Sequence, residues 1–316
     1  MIRIWLFILL PLLGFSQGNF AEVDTLFEKK QYQKAEVFLT NYLQKHPNNL
    51  EARALLGDTY GYQKEWDKAI STYKMVVEKD KTNASYFYNY GTVLGMKALE
   101  NRLKAMAFVG DIREAFLKAA ELDKNHIDTR WALVHLYMNM PGIIGGSKKE
   151  ALRYAQELEA LSKVDGYLAK GFIYEYDDDF EEAETYYKKA VKVGGSLTCY
   201  MKLMTLYEHE DLPQKAIETL ETAQQNLQDN TLRYQIGRLS AMNQVQLEKG
   251  LTNLNQYLKY FTQKDQVPKA WAHYRLSQIY RYQSDKNQAL KHINLALKEL
   301  PKEEKFQDEK AEILDL

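Results

Sequence analysis

The chain of 316 residues has one cysteine, Cys199, so no disulfide can form within it and the fold must rest on packing. Proline occurs only six times, which leaves long stretches open to helix. Charge of one sign is lacking too, with 42 Lys plus Arg against 43 Asp plus Glu and no long basic block, and that excludes an evident nucleic-acid surface. The six histidines, at 46, 126, 135, 209, 273 and 292, form no pair at metal-ligand spacing. No nucleophile motif stands beside a base either, so neither a catalytic set nor a metal or cofactor site is expected.

A long apolar run is also missing. The nearest approach is residues 4–13, broken by Pro11 and well short of the roughly 20 apolar residues that span a bilayer. Arg3 precedes it, and Gly14-Phe15-Ser16 places small residues at minus three and minus one, so it reads as a secretion signal cleaved after Ser16. The alternative is an uncleaved anchor. A periplasmic protein is expected, with release outside the cell as the other address. Cys199, near the start of a helix, is read as a buried core thiol, against an intermolecular bridge or a reactive thiol.

What the chain has is a repeat. Between Val164 and Leu197 the residues Tyr167, Gly171, Tyr174, Phe180, Ala183, Tyr187 and Ala190 fall at the offsets of two helices joined by a turn, and the phase recurs along the chain. Leu56, Gly57, Tyr60, Trp66, Ala69 and Tyr73 repeat it, and Ala35 and Ala69 stand 34 residues apart. Small residues such as Gly171 and Ala183 let two helices approach closely, while the aromatics fill the space to the next pair. This pattern resembles the tetratricopeptide repeat. The resemblance implies an all-α, right-handed α-solenoid of about eight helix pairs. The expected layout is a signal peptide over 1–16, a solenoid over 17–301 and a capping helix or tail over 302–316.

Two units depart from the period. The third reaches its second helix only near Asp111 to Leu122, so residues 94–109 are expected to extend its first helix, with Gly110 turning the chain and Asp111 and Glu114 forming a capping box. That extension either lies under its neighbours or offers a docking surface. The fourth unit inserts Pro141-Gly-Ile-Ile-Gly-Gly-Ser147, with Ser147 and Glu150 capping the next helix. Gly142, Gly145, Gly146 and Ser147 are read either as a shaped turn or as an anion loop with backbone amides at a helix N-terminus, although the Gly-Lys-Ser/Thr of a nucleotide loop is absent. The acidic run of residues 177–179 lacks the alternating ligands of a calcium loop and reads as a turn with helix caps. The degenerate seventh unit, with Gly237, Ala241, Gly250 and Tyr257, together with the Pro141 loop, resembles a group of exported bacterial repeat proteins of undefined biochemistry.

The resemblance also implies that first helices line a groove. In phase, the groove positions are Tyr62, Tyr88 and Met96, then Trp131, His135 and Met138. They continue with Phe172, Glu175 and Tyr176, then Met201, Glu208 and His209, and finally Trp271, Tyr274, Arg281 and Tyr282. Such a surface suits a protein or peptide partner, because Tyr and Trp give large contact area at little entropic cost. A clamp for a C-terminal carboxylate, which needs Lys and Asn, is not expected, since one recurring groove position holds Asp58, Thr92, His135, Phe172 and Thr205. The function expected is a non-enzymatic binding scaffold, the alternative being a ligand-binding accessory protein of envelope transport.

Overall fold

The computed structural model describes residues 20–100 and 105–316, and every regular element in them is helical. The secretion signal and its cleavage site lie outside the described residues. The helices run in pairs: α1 (Ala21–Glu28) with α2 (Tyr32–Lys45), α3 (Leu50–Tyr62) with α4 (Trp66–Lys79), α5 (Ala84–Glu100) with α6 (Ala105–Leu122), and α7 (Ile127–Asn139) with α8 (Lys148–Leu161). They continue as α9 (Lys163–Tyr176) with α10 (Phe180–Gly194), α11 (Leu197–His209) with α12 (Pro213–Leu227), α13 (Asn230–Asn243) with α14 (Leu247–Lys259), and α15 (Lys269–Tyr282) with α16 (Lys286–Glu299). A last helix, α17 (Glu304–Leu314), packs on α15 and α16. The architecture is an all-α solenoid. It divides into two compact units, Met1–Leu133 and Val134–Leu316.

The marked small residues set the helix spacing. A Cβ added to Gly171 would lie 2.4 Å from Cε1 of Tyr187, and Gly57 and Gly91 stand in the same relation to Tyr73 and Phe116. In each case an aromatic ring of the second helix presses against a glycine of the first, closer than any side chain allows. Replacing Gly171 by alanine is therefore expected to cost about 1–3 kcal/mol through overpacking. Urea unfolding of the variant checks this, and an unchanged midpoint would contradict the packing account.

Within the first unit, Phe20, Val23, Ala35, Leu39, Ala52 and Leu56 form one buried cluster and Ala54, Ala69, Tyr73 and Val93 another. The second unit holds Tyr234, Leu254, Tyr257, Leu276 and Ile279 in one cluster and Ala270, Tyr274, Ile293, Phe306 and Ile313 in another. Cys199 is fully buried, and its sulfur lies 3.2 Å from Oγ of Ser196, the residue that caps α11.

Turns within the pairs share one device that the sequence hides. Lys30, Lys64, Asp178, Asp211 and Ser284 all have φ between 53° and 61°, the left-handed region usually held by glycine. The residue after each donates its N–H five positions back, as in Gln31 to Leu26, Glu65 to Tyr60 and Asp179 to Tyr174. This closes the last carbonyls of the first helix and reverses the chain.

The third unit corrects the expectation for Gly110. The helix α6 begins by Ala105 and runs through Gly110 and Asp111 without a turn. A mid-helix glycine costs roughly 1 kcal/mol against alanine, and the helix-forming run Arg113 to Leu122 outweighs it. Both helices of this pair are long, and Leu99 and Met106 near their facing ends are exposed.

Candidate functional site

The inserted loop of the fourth unit is a closed turn. Residues Gly142–Ile144 form one turn of 3-10 helix, and Gly145 adopts φ 104°, which requires glycine. The N–H of Ile144 and that of Gly146 both bond to the Pro141 carbonyl, that of Gly145 to Gly142, and that of Ser147 to Tyr137. A Cβ on Gly146 would meet the Met140 carbonyl oxygen at 1.8 Å. Three of the four amides expected to face an anion, those of Gly145, Gly146 and Ser147, are thus spent inside the chain, so the shaped-turn reading describes them. The Ser147 hydroxyl accepts from Glu150 N, leaving the capping box one-sided. Asp179 likewise caps α10 by accepting from Glu182 N. Among the described residues no group of three or more His, Cys, Asp and Glu could hold a metal ion.

The groove positions separate into spent and available residues. In the second unit Phe172, 2% exposed, and Tyr274, 8% exposed, are core residues, which corrects their placement on a surface. Phe172 packs on His135 with ring centroids 4.5 Å apart, and burial, with Lys202 adding to it, pushes His135 down to about 4. Tyr274 and Trp271 are packed by Phe306 of α17, at 5.0 and 4.9 Å. Met138 is buried as well. The charged groove positions join repeats: Glu208 accepts from both terminal nitrogens of Arg238 at 3.0 Å, and Arg281 donates to Glu309 at 2.9 and 3.1 Å. Glu175 accepts from the Tyr187 hydroxyl at 2.6 Å and lies 3.1 Å from Nδ1 of His209. Among the groove positions of this unit Tyr176, 39% exposed, and His209 are exposed, with Met201, Trp271 and Tyr282 half-buried and the Arg281 guanidinium over the Tyr282 ring.

The first unit differs. Trp131 is half-buried, and Tyr88 is half-buried between Phe116 and His126, where burial, then the charge of Asp128, pushes its hydroxyl up to about 12. Tyr62 stacks on Tyr32 at 4.9 Å and meets Phe27 edge-on at 5.2 Å, bridging the first two pairs. Beside Tyr62 lies a cavity of about 340 Å³ that opens to solvent, lined by Asp58, Gly61, Tyr62, Trp66, Asn89, Thr92, Val93 and Met96. Seven of these come from α3 and α5 at or next to the positions counted as groove, namely Asp58, Gly61, Tyr62, Asn89, Thr92, Val93 and Met96. Counting positions finds Asp58 but not the Tyr73 of the second helix that completes its polar heart. The Tyr73 hydroxyl, reaching over Gly57 from α4, donates to Oδ1 of Asp58 and accepts from Nδ2 of Asn89 at 3.0 Å. Burial pushes the Asp58 carboxyl up to about 7 although the Tyr73 bond pulls the other way. The signal that could have found it is an acidic residue directly after the close-packing glycine, in register with a tyrosine on the second helix.

Comparison with known proteins agrees with this construction. Models of the tetratricopeptide repeat match residues 26–88 and 164–193. No curated protein matches the chain in sequence. Among solved structures, a tetratricopeptide repeat protein from Parabacteroides merdae is 12% identical with a TM-score of 0.50, covering 93% of this chain and 96% of that one. The C-terminal part of a repeat-containing protein from Cytophaga hutchinsonii is 15% identical with a TM-score of 0.49, over 92% of this chain and 99% of that one. At 12% identity the likeness to the Parabacteroides protein is one of fold. Repeat models match a segment in each compact unit and helix pairs fill the described residues between and beyond them, so the chain carries tetratricopeptide repeats.

Proposed function

We propose that this protein is an exported scaffold that binds a protein or peptide partner through the first-helix faces of its repeats, without chemistry of its own. The observation that carries the reading is the open cavity between α3 and α5. It coincides with the first-helix positions at Tyr62 and Met96, and its aromatic and thioether walls match the surfaces that dominate protein interfaces. Tyr176, Met201 and Tyr282 supply accessible contact area of the same kind in the second unit. Export rests on the N-terminal segment, whose charged start, apolar stretch and small-residue cleavage site support a periplasmic address. No helix among the described residues is long and apolar enough to cross a membrane.

The test is crosslinking of the full chain in its own cells, with mass spectrometry of what is captured. Two variants accompany it, Tyr62→Ala with Met96→Ala and Tyr176→Ala with Tyr282→Ala. A defined envelope protein captured by the parent chain and lost in either variant is the expected result. Capture of the same set by both variants would remove these faces from the binding reading.

A further inference from the structure

The lining of the first-unit cavity holds one carboxyl, that of Asp58, and no basic side chain. The Tyr73 hydroxyl spends its proton on Oδ1 of Asp58, and the Asn89 amide donates to Tyr73. The Thr92 hydroxyl donates to the Tyr88 carbonyl at 2.9 Å. The acceptors left at the cavity are the second oxygen of Asp58, the amide oxygen of Asn89 and the lone pairs of Thr92. None of the described lysines or arginines pairs with Asp58. A carboxyl held between apolar walls without a cation is costly unless something supplies one.

Resting on the scaffold reading above, we infer that this cavity seats the side chain of a lysine or arginine from the partner polypeptide, its cationic head on Asp58 and Asn89 and its stem between Tyr62, Trp66 and Met96. The match is one of both charge and hydrogen bonding. Lysine and arginine are donors only, and the Asp58 carboxyl, the Asn89 amide oxygen and Thr92 offer them acceptors. Their methylene stems gain from apolar walls while the head keeps polar partners. The cavity opens to solvent, so a long side chain can enter with its stem along the apolar walls. The site thus selects a positive guest and rejects an acidic one, which would face Asp58 with nothing to neutralise it.

The groups that face Asp58 are few, so the proton balance is simple. Tyr73, whose hydroxyl burial pushes well up, comes from α4, Tyr62 shares α3, and α5 presents Asn89, Thr92 and Met96. Burial leaves the carboxyl partly protonated at neutral pH. A cation entering the cavity favours the ionised form, so binding near pH 7 releases protons to the buffer.

The experiment uses three blocked tripeptides, acetyl-Gly-Lys-Gly-amide, acetyl-Gly-Arg-Gly-amide and acetyl-Gly-norleucine-Gly-amide, titrated into the full chain by ligand-observed NMR and calorimetry. The basic peptides should bind at least tenfold tighter than the norleucine peptide. Their apparent enthalpy should vary with the ionisation heat of the buffer at pH 6.5. Asp58→Asn, which keeps an acceptor for Tyr73, should abolish the preference, and Met96→Lys, which brings a competing cation to the mouth, should do the same by occupying the carboxylate. Equal binding of the norleucine peptide, no binding of either basic peptide, or a preference that survives in folded Asp58→Asn overturns the inference. The scaffold reading fails separately: a partner lost from Tyr62→Ala with Met96→Ala but retained by Asp58→Asn would keep the scaffold and discard the cationic anchor.

Discussion

Phe306→Ala is expected to destabilise the C-terminal end of the second unit by about 3–5 kcal/mol, the usual cost of emptying a large buried aromatic site. Phe306 is wholly buried. Its ring meets Trp271 edge-on at 4.9 Å and Tyr274 at 5.0 Å, so the cavity would open between α17 and α15. The electrostatic lock beside it is of a different kind. Arg281 bridges Glu309, itself almost fully buried, and Glu312 at 2.8 Å. Removing Arg281 would strand a buried carboxylate, a loss comparable to that of the ring. Because repeats contact only their neighbours, the damage should stay local. Hydrogen exchange followed by mass spectrometry should show lost protection over α15 to α17 and unchanged protection over α9 and α10. Uniform loss across the second unit would mean that its helices melt as one block.

How far the sequence reaches can be judged from particular residues. Glycine and alanine at Gly57, Ala69, Gly171 and Ala183 announce the helix pairs because close approach leaves no alternative at those places. Phe172 and Tyr274 were less legible. First-helix phase placed them on a surface, but phase carries no information about what the next element covers, and His135 and Phe306 pack against them. The left-handed turn residues Lys30, Lys64 and Ser284 escaped for the opposite reason, since local cost at a non-glycine residue is outweighed by the two carbonyls that the turn satisfies. Gly110 misled because a glycine beside a capping pattern reads as a break, while the formers on either side of it carry the helix through.

The buried carboxylates form one theme with two outcomes. Tyr73 and Tyr187 occupy equivalent places over Gly57 and Gly171, and each donates its hydroxyl to an acid of the first helix. Glu175 also has His209 beside it, whereas Asp58 faces an open cavity. The same tyrosine-acid pair is thus closed by the chain itself in one unit and left open to a guest in the other.

Acid should weaken the second unit through its buried histidines. Burial, with His273 and then Lys291 adding to it, pushes His292 down to about 4; its ring lies parallel to Tyr280 and its Nδ1 stands 3.0 Å from that of His273. His135 is held at about 4 by its burial, with Lys202 a further cause. Both pKa values are below the unfolded value of about 6.5, so between about 4 and 6.5 the unfolded chain binds more protons than the folded one. Stability contributed by these rings is present above that window and lost as pH falls through it, on the order of 2–3 kcal/mol for each ring. Asp58 works in the reverse sense in the first unit, its raised carboxyl making that unit less stable as pH rises from about 4 to 7. Urea unfolding at pH 7.5, 5.5 and 4.5, followed by exchange protection of each unit, should show the second unit losing ground with acid. His292→Phe, which keeps a ring against Tyr280, should flatten that dependence by about half. An unchanged slope in this variant would mean that other groups take up the protons. A first unit that gained nothing from Asp58→Asn at pH 7.5 would mean that its carboxyl is already compensated when ionised.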